Sequence, residues 1–204
     1  MAPTTPSEAA DERLDTRSRI LDVADRLFRH YGYAKTTVAD MARELGMSPA
    51  NVYRFFASKL EIVEAIASRM LDRRHAHNLE IVASTGSASE RLVRFFVDNH
   101  RMNVEAFASD PKAYEIVEVA MAEQWPTIAD HLVQMTDVIE VLIREGVGSG
   151  EFPGRGDLRR VAACTRQAFV SLFHPTLLLQ CSDDPERAGP EELAEFVIRA
   201  LRCP

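Results

Sequence analysis

The segment spanning residues 38–59, VADMARELGMSPANVYRFFASK, constrains this chain more than any other. Its apolar residues Val38, Met41, Leu45, Val52 and Phe55 fall at helical intervals, and Gly46 interrupts them after two turns. A glycine there accepts the left-handed backbone that ends a helix. Ser48 and Pro49 then supply an N-cap and a first residue for a second helix. Ala42, four residues before the glycine, is small enough to let the two helices cross closely. Two short helices joined by so tight a turn form a helix-turn-helix, whose second helix ordinarily enters the DNA major groove.

The preceding residues supply the third wall that such a motif needs. Ile20, Val23, Ala24, Leu27, Phe28 and Tyr31 form one apolar stripe, which predicts a helix over 16–31 ended by Gly32. Thr37, with Asp40 three residues on, predicts a capping-box start for the next helix. Residues 1–15, with Pro3, Pro6 and no apolar periodicity, read as a flexible N-terminal arm from which Arg13 and Arg17 could reach DNA. A net charge of −7 looks wrong for a DNA binder until it is divided along the chain. Nine basic and five acidic residues lie between positions 13 and 59, so a headpiece of +4 sits on an acidic remainder. Local basic contacts are what release counterions from DNA.

The run ILDVADRLFRHYGYAKTTVADMARELGMSPANVYRFFASKLEIVEAI closely resembles the DNA-binding headpiece of the TetR family of transcriptional regulators. Ala24, Phe28, Gly32, Thr36, Thr37, Val38, Ala42, Gly46, Ser48, Tyr53, Phe56 and Lys59 carry the resemblance, over about a quarter of the chain. It implies an all-α protein of about nine helices. Residues 16–60 would form the three-helix DNA-binding headpiece, and residues 61–204 a helical bundle for ligand binding and dimerisation. It also implies DNA contacts by Thr36 and Thr37, by Tyr53 to a phosphate, and by Lys59 at the start of the following helix. On the inferred recognition helix, 49–55, the outward positions are Ser48, Ala50, Asn51 and Arg54, while Phe55 and Phe56 turn inward. Asn51 suits an adenine edge, Arg54 a guanine or a phosphate, and Ala50 a thymine methyl.

Further helices are predicted over 59–82, 88–109, 111–123, 126–145, 157–179 and 190–202. The first is long enough to join headpiece and body, and Pro175 predicts a kink in the fifth. The glycine-rich stretch 146–156 reads as a loop, because it lacks the lysine and hydroxyl residue of a phosphate cradle. The last two helices resemble the pair with which the family dimerises, and a homodimer lets two recognition helices read a palindromic operator in double-stranded DNA. Large side chains in the body, Phe96, Tyr114, Met121, Trp125, Phe169, Phe173 and His174, are the candidates for an effector pocket, although the same residues would serve as ordinary core. The expected effector is a small apolar or amphipathic molecule of unknown identity.

Enzymatic function is not expected, since no nucleophile and base stand at useful spacing. Three cysteines and six histidines show no metal-type spacing, so neither metal nor cofactor is expected. No apolar run approaches 18 residues and the N-terminus lacks the apolar stretch of a secretion signal, so the expected location is cytoplasmic, with no membrane partner. The expected function is a homodimeric repressor that binds the operator and is released by that effector, with an activator or a ligand-independent regulator of the same fold as the alternative.

Overall fold

The computed structural model describes residues 6–108, 111–154, 156–181 and 183–203. Among them every regular element is helical: α1 (Pro6–Tyr31), α2 (Val38–Glu44), α3 (Pro49–Tyr53), α4 (Lys59–Ala83) and α5 (Ala88–Asn103) come first. A π-helical turn (Val104–Ala108), α6 (Pro111–Ala122), α7 (Pro126–Gly148), α8 (Leu158–Ala168), α9 (Val170–Phe173), α10 (Pro175–Gln180) and α11 (Pro190–Arg202) complete it.

The headpiece is built as its caps dictate. Thr37 and Asp40 form the capping box of α2. At the other end Gly46 adopts φ +65°, its N–H donates to Arg43 O, and the Met47 N–H donates to Ala42 O. Those two bonds are a Schellman closure, and they turn the chain within two residues. Ser48 Oγ then accepts from the Asn51 N–H to start α3. Ile20, Ala24, Phe28, Met41, Ala42, Val52, Phe56 and Ile62 close this core and are essentially inaccessible. Tyr31, although in phase with the α1 stripe, is 55% exposed and stands edge-on to His30.

The start of α1 differs from expectation. The predicted arm is helical from Pro6 onward, ten residues before the start that periodicity gave. Pro6 is a tolerated first residue, and the polar residues after it are adequate helix formers that need no apolar stripe. Residues 1–5 lie outside the described residues. Arg17, which from a flexible arm could have reached DNA, is tied inward: it donates to Phe55 O at 2.9 Å and lies 4.0 Å over the Phe56 ring.

The second core packs Ile81, Leu92, Phe95, Phe96, Ile139, Leu142, Phe169 and Ile198. α4 contributes to both cores, through Ile62, Val63, Ile66 and Ala67 at one end and Ile81 at the other. α5 stops at Asn103, six residues short of the expected end, and passes into the π turn. The single helix predicted over 157–179 is three segments. Phe169 breaks it at φ −93°, ψ 9°, and His174 breaks it again at ψ 121°. The second break follows from Pro175, whose ring drives the residue before it out of helical conformation. These subdivisions give eleven α-helices among the described residues instead of about nine.

The glycine-rich stretch is more than a spacer. α7 runs on to Gly148, and a Cβ on Gly146 would lie 2.3 Å from the Phe152 ring, so only glycine lets that ring seat against the helix. Glu151 receives the N–H groups of Ala88 and Ser89 at 2.8 and 3.0 Å, capping α5 from outside. Partial burial opposes ionisation there, but those N–H bonds prevail and hold the carboxyl below its usual range.

Candidate nucleic-acid interface and ligand cavity

The outer face of the helix-turn-helix presents Ser48, Ala50, Tyr53 and Arg54 to solvent, with Asn51 half-buried beside them. Tyr53 is 51% exposed, and neither its hydroxyl nor the Arg54 guanidinium has a hydrogen-bonding partner among the described residues. The helical extension of α1 reaches the same end of the molecule, where Glu12, Arg13 and Thr16 border Arg54 and Phe55 in a surface cleft. Asn51 Nδ2 approaches Met47 Sδ at 3.7 Å, a weak bond that a base edge can displace. Phe56 is buried and Phe55 half-buried against the headpiece core.

The residues flanking that face are more committed. Thr36 is 2% exposed and its hydroxyl is bonded to Gly32 O at 2.8 Å and Leu27 O at 3.3 Å. Its side chain is therefore a strut of the headpiece, which corrects the expectation of a DNA contact. The Thr37 hydroxyl donates to Asp40 Oδ2 at 2.6 Å and accepts from the Asp40 N–H, and those bonds hold the Asp40 carboxyl below the usual carboxylate range. The Lys59 ammonium donates to Tyr33 O at 2.6 Å and Thr36 O at 2.9 Å, over the Tyr33 ring. Partial burial pulls its pKa down, against the opposing pull of Glu115. Two of its three N–H donors thus fasten the α1–α2 turn.

Between headpiece and body lies a cavity of about 330 Å³. α4 and α7 form its long walls, α6 and the π turn one side, and α8, α9 and Pro175 the other. Most of its surface is apolar, from Ile66, Met70, Leu71, Phe107, Ile116, Val117, Ile128 and Met135. Of the sequence candidates, Trp125, Phe173 and His174 line it. Phe96 and Phe169 do not: they are fully buried and stacked face to face at 3.6 Å, so they are core and not cavity wall. The side chains of Tyr114 and Met121 lie outside the described residues.

Four polar residues of the cavity, Arg74, Asn103, His131 and Arg166, were not marked by sequence reasoning. Arg74 is 5% exposed, bonded through Nη1 to Asn103 Oδ1, with Nε unpartnered. Asn103 in turn donates to Phe173 O at 2.9 Å. Burial pulls the Arg74 guanidinium down to about 10, so it stays charged at neutral pH. His131 is pushed down to about 4, first by burial and then by the positive charges of Arg74, His75 and Arg166, so it is neutral. Arg166 donates from Nε to Thr136. A usable signal was present for two of them. Arg74 keeps phase with Met70, Leu71 and Asn78 on α4, and His131 with Ile128 and Met135 on α7; a polar residue within an apolar stripe faces inward.

No helix among the described residues is long and apolar enough to cross a membrane.

Residues 20–66 match the family described as bacterial regulatory proteins, tetR family. Residues 88–194 match the tetracyclin repressor-like C-terminal domain. A probable helix-turn-helix transcriptional regulator of Pseudomonas putida, ArpR, is 32% identical over 186 residues, covering 85% of this chain and 86% of that protein. The helix-turn-helix transcriptional repressor KstR2 of Mycobacterium tuberculosis is 27% identical over 142 residues, 67% of this chain and 68% of the relative. A solved transcriptional regulator of the TetR/AcrR family from Thermobifida fusca superposes with a TM-score of 0.57 at 25% identity, over 92% of this chain and 96% of that one.

Proposed function

From the premise that this chain belongs to the TetR family of bacterial transcriptional regulators, we propose that it is a homodimeric repressor that binds a palindromic operator and is released by a small amphipathic effector. DNA binding and transcriptional regulation come with the family. The remainder is the reading the geometry best supports. The observation that carries it is the course of α4. That helix starts at Lys59, which fastens the turn before the helix-turn-helix, packs through Ile62 and Ile66 into the headpiece, and walls the cavity from Ile66 to Arg74.

α6 offers a second link. Ile116, Val117 and Ala120 face the cavity, while Glu115 accepts the Ala34 N–H at 3.3 Å in the α1–α2 turn. A ligand that prefers one position of these helices by a few kcal/mol would shift the spacing of two recognition helices away from the about 34–36 Å of adjacent half-sites. Dimerisation through the α8–α9 segment and α11 is supported by apolar side chains left uncovered there, Phe196 at 62% and Val170 at 50% exposure. Such a regulator acts in the cytoplasm, where its DNA is. Its relatives are regulators, which argues against an enzyme.

On DNA, Arg54 and Asn51 would read bases, and Ala50 would touch a thymine methyl. Tyr53, Ser48 and Thr37 would hold phosphates, with the remaining Lys59 donor. The test is a mobility shift on the palindrome that the protein selects from random duplex DNA. Arg54→Ala should weaken binding about 10- to 100-fold and relax one base position. Undiminished, equally selective binding would remove this interface.

A further inference from the structure

Arg74 lines the cavity as a cation with no anionic partner among the described residues. It is 95% buried, its one partner among them is a neutral amide, and its Nε has none there. The single carboxylate among the described lining residues is Asp25, which pairs with Arg29 at 3.1 Å. Burying an unpaired guanidinium is costly, and a fold retains one where a counter-charge arrives from outside. Arg74 remains protonated at neutral pH, since its pKa of about 10 lies well above it. Nε and an adjacent terminal nitrogen form the planar fork that grips a carboxylate by two parallel bonds. Around it the wall is apolar, and the buried Trp125 Nε1 and His131 Nδ1 are two more polar atoms of the lining without partners. The volume, about 330 Å³, sits at the small end of ligand sites, which fits one charged head with a modest apolar body.

We infer that the effector is an apolar monocarboxylate whose head pairs with Arg74 while its hydrocarbon lies along α4, α6 and α7. This deepens the effector reading above and rests on this cavity being the effector site. It also links recognition to response. A carboxylate on the Nε edge leaves Nη1 bonded to Asn103 Oδ1, and Asn103 joins α4 to the Phe173 carbonyl of α9, so the bound head is continuous with a chain of bonds between the two helices. Cations are excluded by the same charge, and neutral alcohols lose the paired bonds.

Trp125 is the chain's one tryptophan and lines the cavity, so its fluorescence reports occupancy directly. The probes are n-alkanoates of six to twelve carbons, the matching n-alkanols, and decyltrimethylammonium, titrated into the wild-type protein and Arg74→Met. Wild type should bind the best alkanoate about 10- to 100-fold more tightly than its alcohol and ignore the cation, the range expected for charge-assisted bonds. Arg74→Met should bind the two equally or prefer the alcohol. Equal affinity for acid and alcohol in wild type, an unchanged preference in the variant, or no response to any alkanoate would each overturn the inference. The wild-type comparison stands even if the variant folds poorly. A mobility shift with the same alkanoate separates the two readings. Arg74-dependent binding that leaves operator bound removes the release mechanism and keeps the carboxylate site. Release by alcohols without dependence on Arg74 does the reverse.

Discussion

Replacing Arg74 by methionine should stabilise the ligand-free protein, which is the opposite of what removing a hydrogen-bonded core residue usually does. The fall of the Arg74 pKa from 12.5 to about 10 means that at neutral pH the folded state carries a cost of about 3 kcal/mol for keeping the group charged. Methionine has a similar length and no charge, and removes that cost. Against it stands Asn103, whose Oδ1 loses its donor inside the protein at a cost of about 1–2 kcal/mol. The net gain is about 1–2 kcal/mol, or roughly 2–8 °C in Tm for a chain of this size. Urea titration at fixed protomer concentration, with ligand stripped by refolding, gives the comparison through the midpoint at constant slope. A loss of more than about 2 kcal/mol would mean that Arg74 is well paired in the folded state, and the case for an uncompensated cation would fall with it.

The pH profile tests the neighbouring histidine. His131 titrates at about 4 when folded, against 6.5 for an unperturbed imidazole, so the unfolded chain takes up a proton first as pH falls. Stability tied to this group is present above pH 6.5 and is lost between 6.5 and 4, by up to about 3 kcal/mol. His131→Gln should flatten that part of the curve, and an unchanged slope would show that other groups produce it. Gly46→Ala places a side chain at φ +65° and should cost about 1–2 kcal/mol in thermal unfolding although nothing lies within 4 Å of its Cβ, so equal stability would show the turn to be relaxed. Gly146→Ala drives a Cβ into the Phe152 ring and should cost about 1–3 kcal/mol, largely restored in Gly146→Ala/Phe152→Leu. Tyr53→Phe should reduce DNA affinity by a few-fold, equally for all operator variants, because a phosphate contact carries no sequence information; a change in base preference would assign Tyr53 to readout.

The headpiece was legible because its determinants are local. A capping box, an αL glycine and a proline at a helix start act within four residues, and they place α2 and α3 whatever surrounds them. The same locality explains the one break that was anticipated, at His174–Pro175, and the failure to anticipate the one at Phe169, where no residue type forbids continuing the helix. The α1 extension escaped notice for the converse reason: an exposed polar helix leaves no periodic trace.

Periodicity states which residues turn inward, and it did so for Ile20, Ala24, Leu27 and Phe28. It does not state what lies opposite. Phe96, Phe169 and Phe173 share one helical phase logic, yet the first two stack on each other and fill space while the third reaches the cavity. Which of these happens depends on the angle and distance at which α5 and α9 meet, set by packing that sums over the whole bundle. The sequence by itself therefore determined the helical class, the helix-turn-helix and the outward positions Ser48, Ala50 and Arg54 of its second helix, since each follows from interactions along one stretch of chain. Only the tertiary structure decided that Thr36 is a buried strut, that Lys59 fastens a turn, and that Arg74 and His131, 57 positions apart, meet across one apolar cavity. Burial and electrostatic partners are properties of the folded whole, and no single helix carries them.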